Sequence, residues 1–190
     1  MNLFNEKTAL LLIDIQEGFN GAQWGNRYNP NMEKNVTQLL KLFREKKAPV
    51  IHVQHLSRNP KSPLSPGQPG VDIMEAAKPL YGERLFQKHV NSAFIGTNLE
   101  EVLKTAGIKT LVIGGIAVDH CVSTTTRMAA NLGFNVVVAA DLTVAYDRKG
   151  FDGKNYPAET VHSITLASLH GEFATVMTTA AIADNFGISQ

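Results

Sequence analysis

Two periodicities alternate along the chain. Thr8 to Ile13 (TALLLI) is an unbroken apolar run of the kind that suits a strand covered on both faces, and Asp14 ends it. From Ile15 to Asn29 the pattern turns loop-like around Gly18, Gly21 and Gly25. Met32, Val36, Leu39, Leu40 and Phe43 then recur at helical spacing as far as Lys47, with Asn29-Pro30 read as the cap and first helical residue. Pro49 to Val53 predicts a second buried strand running into His55. Little periodicity follows between Ser57 and Gly82, which hold five of the eight prolines; so long an irregular connection is a lid, a binding loop or an interface arm. Arg84 to Lys88 is a short strand. Thr97-Asn98-Leu99-Glu100 reads as a capping box opening a helix with Leu99, Val102, Leu103 and Ala106 inward, closed by Gly107. A fourth strand starts at Thr110 and meets Gly114-Gly115, a polar turn with Asp119, His120 and Cys121, and a helix that ends at Gly133. Phe134 to Ala140 predicts a fifth strand ending in Asp141. Beyond a charged loop, Tyr146 to Pro157, the residues Val161, Ile164, Ala167 and Ser168 suggest a helix stopped by Gly171, and Glu172 to Thr178 a last strand.

Strands alternating with helices of this length predict an α/β fold, a parallel sheet with helices on both faces. No polar tract is long enough to divide the 190 residues, so a single domain over 1–190 is expected. Apolar residues at 44% and charged residues at 18% are enough for a sizeable core and argue against disorder. A net charge of +1 with scattered Lys and Arg gives no basis for binding nucleic acid or a membrane surface. The apolar run before Asp14 lacks a basic leader and a cleavage site, so it is read as a buried strand and not as a signal peptide. With a single cysteine no disulfide can close within the chain, and a cytoplasmic location is expected.

The chain carries no Walker A loop, G-x-G-x-x-G, G-x-S-x-G elbow or H-E-x-x-H, and one cysteine cannot build a zinc ribbon. Candidate chemistry gathers at strand ends instead. Cys121 follows a strand and opens a helix, where unpaired N–H groups and the helix dipole favour an anion and are expected to lower the thiol pKa. A free cysteine is also a common core residue, so position alone does not settle its role. Asp14 closes a run as apolar as LLLI, and a carboxylate is costly to bury there unless paired or useful. Lys88 ends a short strand. Converging at one sheet edge, an ammonium would hold a thiolate, and a carboxylate could take the thiol proton and return it to a leaving amine.

The segments TALLLIDIQEGF, FQKHVNSAF around Lys88, and GGIAVDHCVSTTTRMAANLGF together resemble the isochorismatase-like cysteine hydrolases, over roughly residues 7 to 180. The resemblance implies a three-layer, Rossmann-like α/β/α fold with a six-stranded parallel sheet of order 3-2-1-4-5-6. It implies a catalytic Asp14, Lys88 and Cys121, and a non-proline cis peptide between Ile116 and Ala117. The N–H groups of Ala117 and Cys121 are then expected to form an oxyanion hole. Nicotinamidases of the family hold a metal through an Asp-x-His after the second strand. The corresponding stretch here, HVQHLSRNP, has no such acid, and His52 and His55 should point to opposite faces of their strand. No metal and no cofactor are therefore expected.

Phe19, Trp24, His55, Phe94 and Tyr146 are the expected substrate pocket, Asp119 is read as a helix cap, and His120 as structural or substrate-facing. The expected activity is hydrolysis of a small amide or amide-like C–N bond through a thioester, by a homo-oligomer, a dimer or larger. Two alternatives stay open: a vinyl-ether hydrolase using Asp14 as acid, and a non-catalytic binding module.

Overall fold

In a computed structural model of the protein, residues 4 and 7–187 are described. Six parallel strands form the sheet: β1 (Thr8–Ile13), β2 (Val50–His55), β3 (Arg84–Lys88), β4 (Thr110–Ile116), β5 (Asn135–Tyr146) and β6 (Thr175–Met177). Their order is 3-2-1-4-5-6, as the resemblance implies. A seventh, antiparallel strand of two residues, Arg27–Tyr28, pairs with Ala145 and Tyr146 at the far end of β5.

The unbroken apolar run of β1 is explained by its two faces. Leu10 and Leu12 enter the core beneath α1 (Met32–Glu45) and α5 (Thr179–Gly187), while Ala9, Leu11 and Ile13 enter the core on the other face. That second core is covered by α2 (Leu99–Thr105), α3 (Ser123–Asn131) and α4 (Ala158–Leu169). Alternate side chains of a strand point to opposite faces, so a strand buried on both sides must be apolar at every position.

Several expectations shift at element ends. Asn29 lies in the left-handed region (φ 75°) and donates its side-chain amide to Thr143 O, so the N-cap position of α1 falls two residues later, at Asn31, which makes no side-chain cap bond. The Thr97 hydroxyl donates to Ala93 O, and Asn98, without a side-chain bond, occupies the N-cap of α2; no capping box forms. Leu99 and Leu103 are buried there, but Ala106 is exposed. The inward face of α4 is Ala158, His162, Leu166 and Leu169, leaving Ile164 exposed at 63%. The fifth strand does not stop at Asp141 but runs to Tyr146, because its pairing to β4 jumps at a bulge and resumes at Gly115↔Thr143. The last strand is only Thr175–Met177, and the helix after it, α5, had no counterpart in the sequence pattern.

Candidate active site

Four neighbouring strands, in the order 3-2-1-4, deliver one polar side chain each at their carboxyl ends. These are Lys88 from β3, His55 from β2, Asp14 just after β1, and Cys121 just after β4. His55 and Lys88 are register partners. The reversal of strand order between β1 and β4 is where open α/β sheets leave a crevice for a ligand.

The Lys88 ammonium joins the group. It donates to Asp14 Oδ2 at 2.6 Å, to Cys121 Sγ at 3.3 Å, and meets His55 Nδ1 at 3.1 Å. Asp14 and Lys88 side chains are wholly buried, and Asp14 Oδ1 has no hydrogen-bond partner among the described residues. Asp14 itself sits at φ 51°, in the left-handed region, which turns the chain sharply off the strand so that the carboxylate stays over the sheet edge. Two residues on, the buried Gln16 clamps the end of β2: its amide donates to His55 O and Val71 O, and its carbonyl oxygen accepts from His55 N.

The cysteine lies on a single wide turn, Val118–Val122, in which the Ala117 carbonyl accepts from both His120 N and Val122 N. Such π-type turns occur often at functional sites. The Ile116–Ala117 peptide before it is cis. Burial pushes the Cys121 thiol up to about 12, the Asp14 carboxylate adds to the rise, and the Lys88 ammonium only partly offsets it. The expected lowering by the helix N-terminus is therefore overturned: desolvation wins, and the resting sulfur is a neutral thiol. Burial also raises Asp14 against the opposing pull of Lys88. His55 is pushed down to about 4, by burial first and by the Lys88 charge second, and so is uncharged near neutrality.

Above these residues is a cavity of about 180 Å³ that takes in Cys121, Ala117, His55, Phe19, Trp24 and Tyr146. Phe19, Trp24 and Tyr146 form a row with ring centroids 5.0 and 6.0 Å apart. The Tyr146 hydroxyl donates to Phe19 O and the Trp24 indole N–H to Gly18 O, so the row shows the cavity apolar ring faces. Phe94 is not part of it: drawn inward by apolar burial, it stacks on Phe134 in the core below α2 and α3. Asp119 caps no helix, because Arg148 binds its carboxylate with two donors at 2.6 and 3.2 Å.

Ser57, Ser62 and Leu64 show that the proline-rich segment forms part of the cavity wall; Asn91, His120 and Arg148 add polar groups. Except for His120, none of these stood out in the sequence, where serines, an asparagine and an arginine in loops carry no periodic signal. His52 is core, bonded through Nε2 to Glu83, and does not face His55. Asp14, His55 and Cys121 have ligand atoms within 4.8 Å of one another, close enough to share a cation. The Lys88 ammonium already bonds all three, so the residues do not fit a metal ion while Lys88 is in place.

Acid, ammonium and thiol at one sheet edge below a small cavity place this chain among the doubly wound α/β proteins with their chemistry at the strand ends. Among these, it belongs to the isochorismatase family of hydrolases: the isochorismatase domain matches residues 8–181. It is 46% identical to the uncharacterized isochorismatase family protein YrdC of Bacillus subtilis, over 95% of this chain and 97% of that one. Nicotinamidase 3 of Arabidopsis thaliana is 28% identical over 87% of this chain and 82% of its own. A crystal structure of an isochorismatase-family protein from Chromobacterium violaceum superposes with a TM-score of 0.94 at 39% identity, over 96% of this chain and 95% of that one.

Proposed function

We propose that the protein is a cysteine-dependent hydrolase of a small amide or amide-like C–N bond, acting through a thioester. The observation that carries this reading is the Lys88 ammonium bonded at once to the Asp14 carboxylate and the Cys121 thiol below the cavity. The similarity to a nicotinamidase supports it.

Asp14 takes the thiol proton as Cys121 sulfur attacks the carbonyl carbon. This moves a proton inside a buried cluster without changing its net charge, so it avoids the cost of creating a thiolate beside an ionised carboxylate. Lys88 stays within reach of both, compensating whichever carries the negative charge. The Ala117 and Cys121 N–H groups receive the oxyanion. As the C–N bond breaks, protonated Asp14 delivers its proton to the departing nitrogen. Water then attacks the thioester with Asp14 again as base, the C–S bond breaks, and the thiol is restored.

No metal or cofactor enters this scheme. It acts on a small-molecule substrate, with no nucleic acid or membrane partner, in the cytoplasm. No helix among the described residues is long and apolar enough to cross a membrane. We place the working protein as a homo-oligomer, in keeping with Leu80, Tyr81, Leu85, Val90 and Ile95, exposed on and around the edge strand β3.

The test is a pair of variants assayed on small amides. Cys121→Ala should abolish turnover with unchanged circular dichroism, and Cys121→Ser should reduce it by about 10³-fold or more, the scale on which removal of an acting nucleophile is felt. Undiminished hydrolysis in either would assign the reaction to Asp14 alone, as in vinyl-ether hydrolysis.

A further inference from the structure

The Lys88 ammonium has three hydrogens and no lone pair, and three neighbours take them: Asp14 Oδ2, Cys121 Sγ and His55 Nδ1. His55 Nδ1 must accept in this arrangement. A neutral imidazole with an accepting Nδ1 carries its proton on Nε2, so the neighbour fixes the tautomer. Gln16 holds the His55 backbone from both its N–H and its carbonyl, which fixes the end of β2 from which the ring projects. Among the described residues nothing accepts from Nε2, yet His55 lines the cavity beside Cys121.

Of the other polar groups on the wall, Arg148 is bound to Asp119, the Ser57 and Ser62 hydroxyls accept from the N–H groups of Asn59 and Leu64, and the aromatic row bonds backbone carbonyls. Asn91 and His120 complete the lining, and of these groups only His55 bonds the Lys88 ammonium.

We infer that His55 Nε2–H is a substrate-recognition donor, and that the substrate is a small amide bearing a second hydrogen-bond acceptor, an oxygen or nitrogen next to the scissile bond, as in a ureide or carbamoyl compound. This deepens the hydrolase reading and rests on it for the substrate class. The tautomer itself does not. A site whose buried donor needs an acceptor discriminates against analogues lacking one, since the donor is then left unpaired.

Two measurements test the inference. The first is ring-nitrogen NMR of histidine-¹⁵N-labelled protein near neutral pH, with His55→Asn used to assign the signal. A pyridine-type Nδ1 and a pyrrole-type Nε2 are expected at His55. An Nδ1–H tautomer or an imidazolium overturns the inference whatever the protein hydrolyses.

The second is the ratio of Cys121 alkylation rates by iodoacetamide, whose carbonyl oxygen is an acceptor, and by methyl iodide, which has none. Taking the ratio cancels changes in thiol reactivity. His55→Asn keeps an acceptor near the Nδ1 position but loses the distal donor; His55→Gln keeps a distal donor and loses the acceptor. The ratio should fall about three- to tenfold in His55→Asn, the scale of one hydrogen bond, and hold within about twofold in His55→Gln. An unchanged ratio in His55→Asn, or an equal fall in both variants, overturns the inference. Absence of hydrolysis on every amide tried would defeat the functional reading while leaving both readouts intact.

Discussion

A neutral thiol is the resting form of Cys121, because burial pushes it up to about 12 and the neighbouring Asp14 charge adds to the rise. The sign follows directly: the thiolate fraction grows with pH. Alkylation of Cys121 by iodoacetamide should therefore rise about tenfold per pH unit from 7 to 10 without a plateau. A plateau below pH 9 would contradict the neutral thiol. Asp14 must be ionised to take the proton, and burial holds its pKa above the usual 3.8, so kcat/KM should fall with decreasing pH along a limb lying above that value. Lys88→Met removes the charge that opposes this rise; it should move the limb to higher pH and reduce kcat by about 10²-fold or more.

At this scale Asp14, Lys88 and Cys121 were legible because each closes a strand, and parallel strands bring their carboxyl ends together. The direction of the thiol pKa was not. It is set by what other elements pack over the sulfur, whereas the sequence showed only the helix start. Phe94 and Asp119 were misplaced for the same reason, since their partners Phe134 and Arg148 lie 40 and 29 residues away in the chain.

Between residue and fold, the β4 turn depends on Gly115. It sits at φ +138°, and a Cβ there would collide with the Ile13 backbone at the end of β1. The same glycine is where β5 resumes pairing after its bulge. Gly115→Ala should cost about 3 kcal/mol, measured by urea unfolding, because neither backbone can give way without moving Asp14 or Cys121. A cost below about 0.5 kcal/mol would show that the approach is not tight.

Most strands were legible from apolar runs, but β5 beyond Asp141 was not, since an acidic residue after an apolar run reads as a strand end. Asp141 is half-buried and accepts from the Thr179 N–H and hydroxyl, at the start of the helix that the pattern missed. The apolar residues of α5, Ile182 and Phe186, are too few to show a period on their own; Phe186 is explained only by Phe4 and Phe43 packing against it. In α4 the inward face is held partly by His162, which bonds Thr143 and Ala140, so counting only apolar positions rotated the helix.

Over the whole molecule, His52, His55 and His162 are all held below the ordinary histidine value of 6.5 by burial. Between that value and their folded pKa values the unfolded chain takes up protons that the folded chain refuses. Stability should therefore fall as pH drops from 7 to 5, by up to about 1.4 kcal/mol per pH unit for each proton taken up. Asp14 works in the opposite direction, because the folded state binds its proton more readily; three histidines against one aspartate leave the slope positive. A melting temperature that is flat or rises towards pH 5 would contradict this balance. The sheet order was legible only through the resemblance, since alternation fixes layers but not neighbours. The exposed edge at β3 should seat a second copy, and light scattering at micromolar concentration should give a mass of two chains or more.

The most direct test of thioester chemistry is mass spectrometry of the intact protein after rapid mixing with a panel of small amides, ureides and carbamoyl compounds. An acyl adduct that maps to Cys121 in the wild type and is missing from Cys121→Ala is the predicted result. Turnover of a panel member without an adduct, and at the same rate in Cys121→Ala, would contradict it.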